Sequence, residues 1–348
     1  MASQTQPTRA LVIGSEGNIG SRLVVHLRSI GYEVMEADIL PRWRPGFVMA
    51  DMNHPLDLLP AFDWGPDVVF LCAALVGRMT SEQAGSLAIT TNLGGINNVI
   101  QLCKRSGSRL VFFSTSEVYG PECTVLDEAE SHPRPANRYG LTKLLGEHLV
   151  EYEVRVHGLK AVVVRPCMFY DELETVGEHR SAMIRFASNL ARGRPIEVHR
   201  GAARSWLHIL DAVRAIEAAG RLEQYTVINI GHPEVVTMTD LAHRIARALG
   251  VDPGLVSEGP LPPGITPVKR PTLERQTRLL GFTPAIGLDE GIARVCAVQA
   301  RLAADEAALA GADDDAVARA AASPRYAASL SEGAKRGGQA GDGLRSDG

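Results

Sequence analysis

The 348-residue sequence has no apolar run long enough to cross a membrane, a span of ~20 residues. Nor has it a long basic run. With a formal net charge of −4, it is a poor match for nucleic acid as main partner. Its cysteines are few and scattered: Cys72, Cys103, Cys123, Cys167 and Cys296 show no C-x-x-C spacing. That argues against a disulfide frame or a zinc site and for reduced thiols in a cytosolic protein. His179, His199 and His208 make no metal-ligand spacing with each other or with the cysteines. Met1–Thr8 is polar and lacks the apolar centre of a signal peptide. No internal repeat occurs at solenoid periods. A cytoplasmic protein with no metal and no membrane partner is expected.

What is present is an apolar content of 45%, ample for a large core and for one domain plus a smaller lobe. Short apolar runs at Ala10–Ile13, Glu33–Ala37, Val68–Cys72, Arg109–Phe113 and Ala161–Val164 alternate with helical patterns at Asn18–Ile30, about Ser81–Ser106 and Tyr139–His157. Apolar strands separated by helices predict an α/β fold whose parallel sheet is covered on both faces, a doubly wound Rossmann type. After Arg165 the pattern loosens. A helix at Ser181–Ala191, strands at Pro195–Val198 and Thr226–Ile230, and a helix capped by Thr239 and ending at Leu249 are expected, with a loop at Pro260–Gly264. From about Ala303 the composition turns to Ala, Gly, Asp and Ser, which predicts disorder or a frayed helix up to about Ala322.

Gly14-Ser-Glu-Gly17-Asn18-Ile19-Gly20 lies between the first strand and the first helix. Its glycines permit a tight turn and close approach of a pyrophosphate to the helix N-terminus. A bland strand-to-helix turn would also use them. Asp38 follows the second strand, where a carboxylate accepts from the ribose hydroxyls and repels the 2′-phosphate of NADP. NAD is therefore favoured, although Arg42 and Arg44 lie close by. Asp38 also reads as an ordinary solvated strand end. Asp51 and Met52, after another short run, are placed beside the adenine.

Tyr139 and Lys143 are four residues apart, hence on one helix face. A phenol titrates near pH ~10, and a neighbouring ammonium is expected to lower that value and make the phenol a usable base. Thr115, in Phe113-Ser-Thr-Ser-Glu-Val-Tyr-Gly120, follows a strand end, where open parallel sheets bind ligands. It can hydrogen-bond the oxygen that Tyr139 deprotonates. By itself, Tyr-x-x-x-Lys also occurs as a surface pair.

Together these motifs resemble the extended short-chain dehydrogenase/reductases, and more narrowly the NAD-dependent nucleotide-sugar epimerase/dehydratase family, over roughly Arg9 to Ala300. Cys72-Ala73-Ala74 resembles the family's segment beside the cofactor, Asn92 its helix asparagine, and Arg165-Pro166 the strand end leading to the nicotinamide. Arg204-Ser-Trp-Leu-His208 resembles the segment whose arginine binds the sugar nucleotide's diphosphate, and Arg270 a second diphosphate contact. The resemblance implies a transient oxidation. Tyr139 takes a proton from a sugar hydroxyl, hydride passes to NAD, and Lys143 binds the nicotinamide ribose. The 4-keto sugar is then epimerised, dehydrated or decarboxylated, and the hydride is usually returned. A homodimer packing the helices around Ser81–Ser106 and Tyr139–His157 is also implied.

Several positions bear on the outcome. Ser116 stands where the family's dehydratases carry an acid. Glu117 resembles the corresponding glutamate of uronic-acid decarboxylases and of some epimerases; it is read as a base at C5, a partner for a carboxylate, or a strand-end glutamate held by Arg138 or Arg165. Met168 falls near a family asparagine and cannot hold a phosphate or sugar as that residue does. The lobe is rich in cations (Arg180, Arg185, Arg192, Arg194, Arg200, Arg204), as a diphosphate or a solvated face would have it. Cys123 and Cys167 are read as small buried hydrophobes or as thiol acid–bases, and Trp206 and His208 as core.

The expected reading is a nucleotide-sugar epimerase. Hexuronate decarboxylase, dehydratase, reductase and non-catalytic NAD-binding protein are its rivals. Residues 1–165 are expected to form mainly the NAD-binding domain, residues 166–302 mainly a substrate lobe with some return to the first domain, and residues 303–348 a disordered tail.

Overall fold

The computed structural model describes residues 7–310 apart from 130, 175–180 and 263–264. His179, Arg180 and the tail past Ala310 lie outside the described residues.

The chain first builds a parallel sheet from β1 (Arg9–Ile13), β2 (Glu33–Asp38), β3 (Phe47–Met49), β4 (Val68–Leu71) and β5 (Arg109–Phe113). After β6 (Val125–Leu126) it adds β7 (Ala161–Pro166). Next come β8 (Met168–Tyr170), β9 (Ile196–His199), β10 (Ala203–His208), β11 (Val227–Ile230), β12 (Val235–Thr237), β13 (Val256–Gly259) and β14 (Val268–Pro271). Among the described residues the large sheet has seven strands in the order β11-β7-β5-β4-β1-β2-β3. The order reverses between β1 and β4, and ligands of such sheets bind in the crevice at that switch point. β4 is buried along its whole length, as a strand covered on both faces must be.

Helices α1 (Asn18–Ser29), α2 (Pro55–Asp63), α3 (Arg78–Gln83), α4 (Gly85–Ile89), α5 (Ile96–Ser106), α6 (Arg138–His157), α7 (Ala182–Ala191), α8 (Ile209–Gly220), α9 (Met238–Leu249), α10 (Glu274–Leu280) and α11 (Leu288–Ala310) complete the chain. Leu23 and Leu27 of α1 share one core with Ala212 and Ile216 of α8; Leu58 of α2 and Ile100 of α5 belong to the core on the sheet's other face. A third core joins α7, α9 and α11 around Trp206. A second sheet runs β12-β10-β14-β6, with β8 paired to β10.

Three expectations change. The single helix over Ser81–Ser106 is broken at Ala84, whose φ −109° and ψ 52° are not helical, and it carries a π-helical stretch at Thr90–Gly95 before α5. The strand read at Thr226–Ile230 forms as expected and is the edge of the first sheet, paired with β7, which is where the chain returns to that layer. Thr237, not Thr239, caps α9: its hydroxyl accepts from Asp240 N at 3.0 Å, while the Thr239 hydroxyl donates to Glu258 at 2.6 Å. Ordered helix continues past Ala303 to Ala310, where a guanidinium fork from Arg192 grips Glu306 at 2.8 and 2.5 Å.

Gly291 sets how closely α11 approaches β8, because a Cβ there would fall 1.8 Å from the hydroxyl of buried Tyr170. Gly291→Ala is expected to destabilise the fold by about 1–3 kcal/mol through overpacking. Calorimetric melting checks this, and an unchanged Tm would show that Tyr170 moves freely.

Candidate active site

The turn after β1 presses against the segment after β4. Gly14 has φ +87°, and a Cβ on it would lie 2.5 Å from the Ala73 backbone N. Ile13 O accepts from both Cys72 N (2.8 Å) and Ala73 N (2.9 Å), which brings Ala74 alongside. Gly17 precedes α1 without any side-chain capping bond, and the first turn of α1, with Asn18, Ile19 and Gly20, holds no acid. Its first N–H groups are left for an anion. Asp38 is buried; one of its oxygens accepts from Glu16 N at 2.9 Å and the other from Leu40 N at 3.0 Å. Each oxygen retains a lone pair for a further donor. A cradle too tight for a Cβ, an uncapped helix end and an oriented carboxylate together fit a dinucleotide's pyrophosphate and ribose.

Asn92 is fully buried and serves the same wall. Its amide exchanges two hydrogen bonds with the Leu75 backbone (2.9 and 3.0 Å) and donates to Thr142 Oγ1 at 3.1 Å. It therefore fixes the segment after β4 to α6. Asp51 caps a turn through Asn53 N at 2.9 Å. Met52 is a core side chain whose carbonyl accepts from Asn98, so the structure does not bring its side chain to an open surface. Pro166 ends β7, opposite Ile230.

The candidate reacting groups converge from α6 and the end of β5. Asn137 caps α6, accepting from Gly140 N at 2.8 Å. Tyr139, in the first turn, lies near Thr115. Lys143, one turn on and almost wholly buried, donates to Phe113 O at 2.8 Å and lies 5.2 Å over the Phe112 ring. A further turn on, Glu147 receives the Ser114 hydroxyl and a bidentate fork from Arg165 at 2.9 and 2.6 Å.

The electrostatics differ from the sequence expectation. Burial pushes the Tyr139 phenol up to about 12; the Thr115 hydroxyl works against this and the Glu117 charge adds to it. The Lys143 ammonium is directed to the Phe113 carbonyl. Burial in turn pulls Lys143 down to about 8. It also pushes the Cys167 thiol up to about 12 and that of Cys72 upward, so these sulfurs are poor acid–bases.

Glu117 is bound neither to Arg138, which reaches Glu82, nor to Arg165. Lys269 holds it at 2.5 Å and Asn137 Nδ2 at 3.1 Å. Burial raises its carboxyl, but Lys269, Arg78 and Asn137 overcome this and keep it below the usual carboxylate range. Ser116 beside it is buried. Arg204 faces Lys269 across the β10–β14 pairing and donates to the carbonyls of Ala203, Pro267 and Thr266 at 2.7–2.8 Å. Burial lowers it to about 10. Arg270, the expected second cation, is exposed on the other face of β14, since strand side chains alternate. Arg192 and Arg200 are paired with Glu306 and Glu258, and Trp206 and His208 are buried.

The sequence pattern of the NAD dependent epimerase/dehydratase family matches residues 10–231. The chain belongs to that family. It is 27% identical to UDP-glucuronic acid decarboxylase 6 of Arabidopsis thaliana over 307 residues, covering 82% of this chain and 86% of the relative. With UDP-glucuronate 4-epimerase 2 of the same plant it shares 25% identity over 81% of this chain and 73% of the relative. Its fold superposes on the UDP-glucose 4-epimerase of Thermus thermophilus, solved with NAD, with a TM-score of 0.74 and 26% identity, covering 84% of this chain and 99% of that one.

Within this family site, sequence reasoning overlooked Asn137 and Lys269. Asparagine just before a helical pattern is an N-cap signal, so Asn137 was detectable as a cap. Its second bond, to Glu117, was not. Lys269 adjoins the chosen Arg270, and the strand's phase decided between them.

With the Lys143 ammonium pulled from 10.5 to about 8, protonating it costs the folded state on the order of 3 kcal/mol below that pH. Between the two values the unfolded chain binds the extra proton, so stability rises with pH. Lys143→Met is expected to melt above wild type at neutral pH, with the gap closing as pH approaches 10.5. A lower melting point at neutral pH would mean that the bond to Phe113 O outweighs the burial cost.

Proposed function

We propose that the protein is an NAD-dependent nucleotide-sugar epimerase working through a transient 4-keto sugar. The observation that carries this is the Tyr139–Thr115 contact, with Lys143 one turn along α6, at the carboxyl end of β5. Thr115 and Tyr139 hold one substrate hydroxyl between them, and Tyr139 accepts its proton. The turn at Gly14, Gly17 and Gly20, with Asp38 and Lys143, would hold NAD, which supplies the hydride acceptor and a positive ring that favours the phenolate. Arg204 and Lys269 are suited to the anionic part of a sugar nucleotide. In this reading the first sheet is mainly the cofactor unit and the second the substrate lobe.

A second reading, decarboxylation of a nucleotide hexuronate, is supported by the ionised Glu117 beside Lys269 and by the named activity of the Arabidopsis decarboxylase. The two readings separate by product mass after incubation with UDP-glucose and UDP-glucuronate. A new isomer of unchanged mass, resolved from the substrate by chromatography and NMR, supports epimerisation, and loss of CO2 supports the second reading. Tyr139→Phe is expected to lower kcat by a factor on the order of 10²–10⁴ with NAD binding nearly intact. Wild-type turnover in that variant would reject the mechanism.

We also infer a cytoplasmic homodimer. No described helix is long and apolar enough to cross a membrane, and the five cysteines are free. Leu141, Leu145, Tyr152 and Val156 form one exposed apolar face of α6, and Leu87 and Ile89 of α4 are exposed as well. Leu145→Glu is expected to give a monomer in size-exclusion chromatography with light scattering. A dimer of unchanged affinity would place the interface elsewhere.

A further inference from the structure

The glycine turn carries an acid that turn geometry does not call for. Glu16, between Gly14 and Gly17, donates its backbone N–H to Asp38 Oδ2 at 2.9 Å, so its own carboxylate stands next to the ribose-binding one. That carboxylate accepts from Arg42 Nε at 2.7 Å and Arg44 Nη2 at 2.6 Å. Arg44 also bonds Glu36, which is buried and shared with Arg28 at 2.7 Å. The arginines enter on the loop between β2 and β3. Their side chains are 47% and 39% exposed, against 13% for Glu16, so the guanidinium groups come in from solvent to meet a half-buried anion. Burial opposes its ionisation, but both arginines overcome this and hold the Glu16 carboxyl below its ordinary range.

Arginines beside the second strand's terminal carboxylate are the groups with which a protein binds the 2′-phosphate of NADP. Here three guanidinium groups (Arg28, Arg42, Arg44) meet two carboxylates (Glu16, Glu36), and Asp38 accepts from the Glu16 backbone N–H beside them. A phosphate entering this cluster would meet Asp38 and Glu16 and would have to strip Arg42 from Glu16 and Arg44 from both Glu16 and Glu36.

We propose that Glu16 is a second determinant of cofactor choice: by clamping Arg42 and Arg44 it withholds them from a 2′-phosphate, so that exclusion of NADP does not rest on Asp38 alone. The proposal depends on the turn being the dinucleotide site. A neutral residue at position 16 releases Arg42 toward the phosphate and removes one of the two carboxylates that hold Arg44, without removing any donor or acceptor proposed for NAD.

Direct binding tests it. Titration calorimetry with NAD and with NADP is run on wild type, Glu16→Gln, Glu16→Ala, and Glu16→Ala combined with Arg42→Ala and Arg44→Ala. Wild type is expected to bind NAD well and NADP poorly. Both single variants should bind NADP tenfold or more tighter, roughly the scale of one charge-assisted contact, with NAD affinity within about threefold. The triple variant should lose the gain. Unchanged NADP affinity in Glu16→Gln with NAD binding intact would overturn the role of Glu16, as would a gain that survives in the triple variant or a wild type that binds both dinucleotides equally. Failure of wild type to bind either would overturn the dinucleotide site itself. Circular dichroism melts of each variant separate a lost site from a lost fold.

Discussion

One polar stripe on α6 organises the molecule. Tyr139, Lys143 and Glu147 succeed one another at four-residue spacing, and each engages the end of β5: Thr115, the Phe113 carbonyl and Ser114 in turn. Burying an ammonium and a carboxylate is expensive unless every partner is in place. The Arg165 fork from β7 supplies the charge that Glu147 needs, and Arg165 itself stacks 4.7 Å over the Tyr119 ring. The helix cannot slide or rotate without leaving a buried ion unpaired. The geometry of the candidate site and the docking of the helix are thus the same constraint. Asn92 extends it, because its bond to Thr142 joins α6 to the segment that packs on the glycine turn.

Burial acts on the two groups of this stripe in opposite directions, raising the phenol and lowering the ammonium. Both shifts disfavour charge. The Lys143 ammonium donates to a backbone carbonyl at the end of β5. A four-residue spacing gives a shared helix face. It does not give the direction of a long, flexible side chain, which the nearest strong acceptor decides.

That distinction explains what the sequence could convey. Strands such as Val68–Leu71 and Arg109–Phe113 were legible because burial on both faces demands unbroken apolar runs. The glycine turn was legible because few residues can make so close an approach. Where a local pattern had two solutions, tertiary contacts chose. Thr237 and Thr239 are both capping residues by type, and backbone geometry selected the first. Thr226–Ile230 has the composition of a strand in either layer, and β7 offered the free edge. Lys269 and Arg270 are both cations on one short strand, and the pleat turned the lysine inward.

The inward lysine changes the meaning of Glu117. A carboxylate beside a buried ammonium is already neutralised, and it is held at the junction of two units: Glu117 follows β5 of the first sheet, whereas Lys269 belongs to β14 of the second. Asn137 completes the link by capping α6 with one amide atom and bonding Glu117 with the other. An anionic group of a substrate that displaces Glu117 from Lys269 would find an ammonium with no other carboxylate bonded to it among the described residues, and Arg204 across the strand. It would also free Glu117 next to the hydroxyl-binding pair. Charge on the substrate would then both anchor it and release the nearest base, so a neutral sugar and a hexuronate can meet different chemistry at one site.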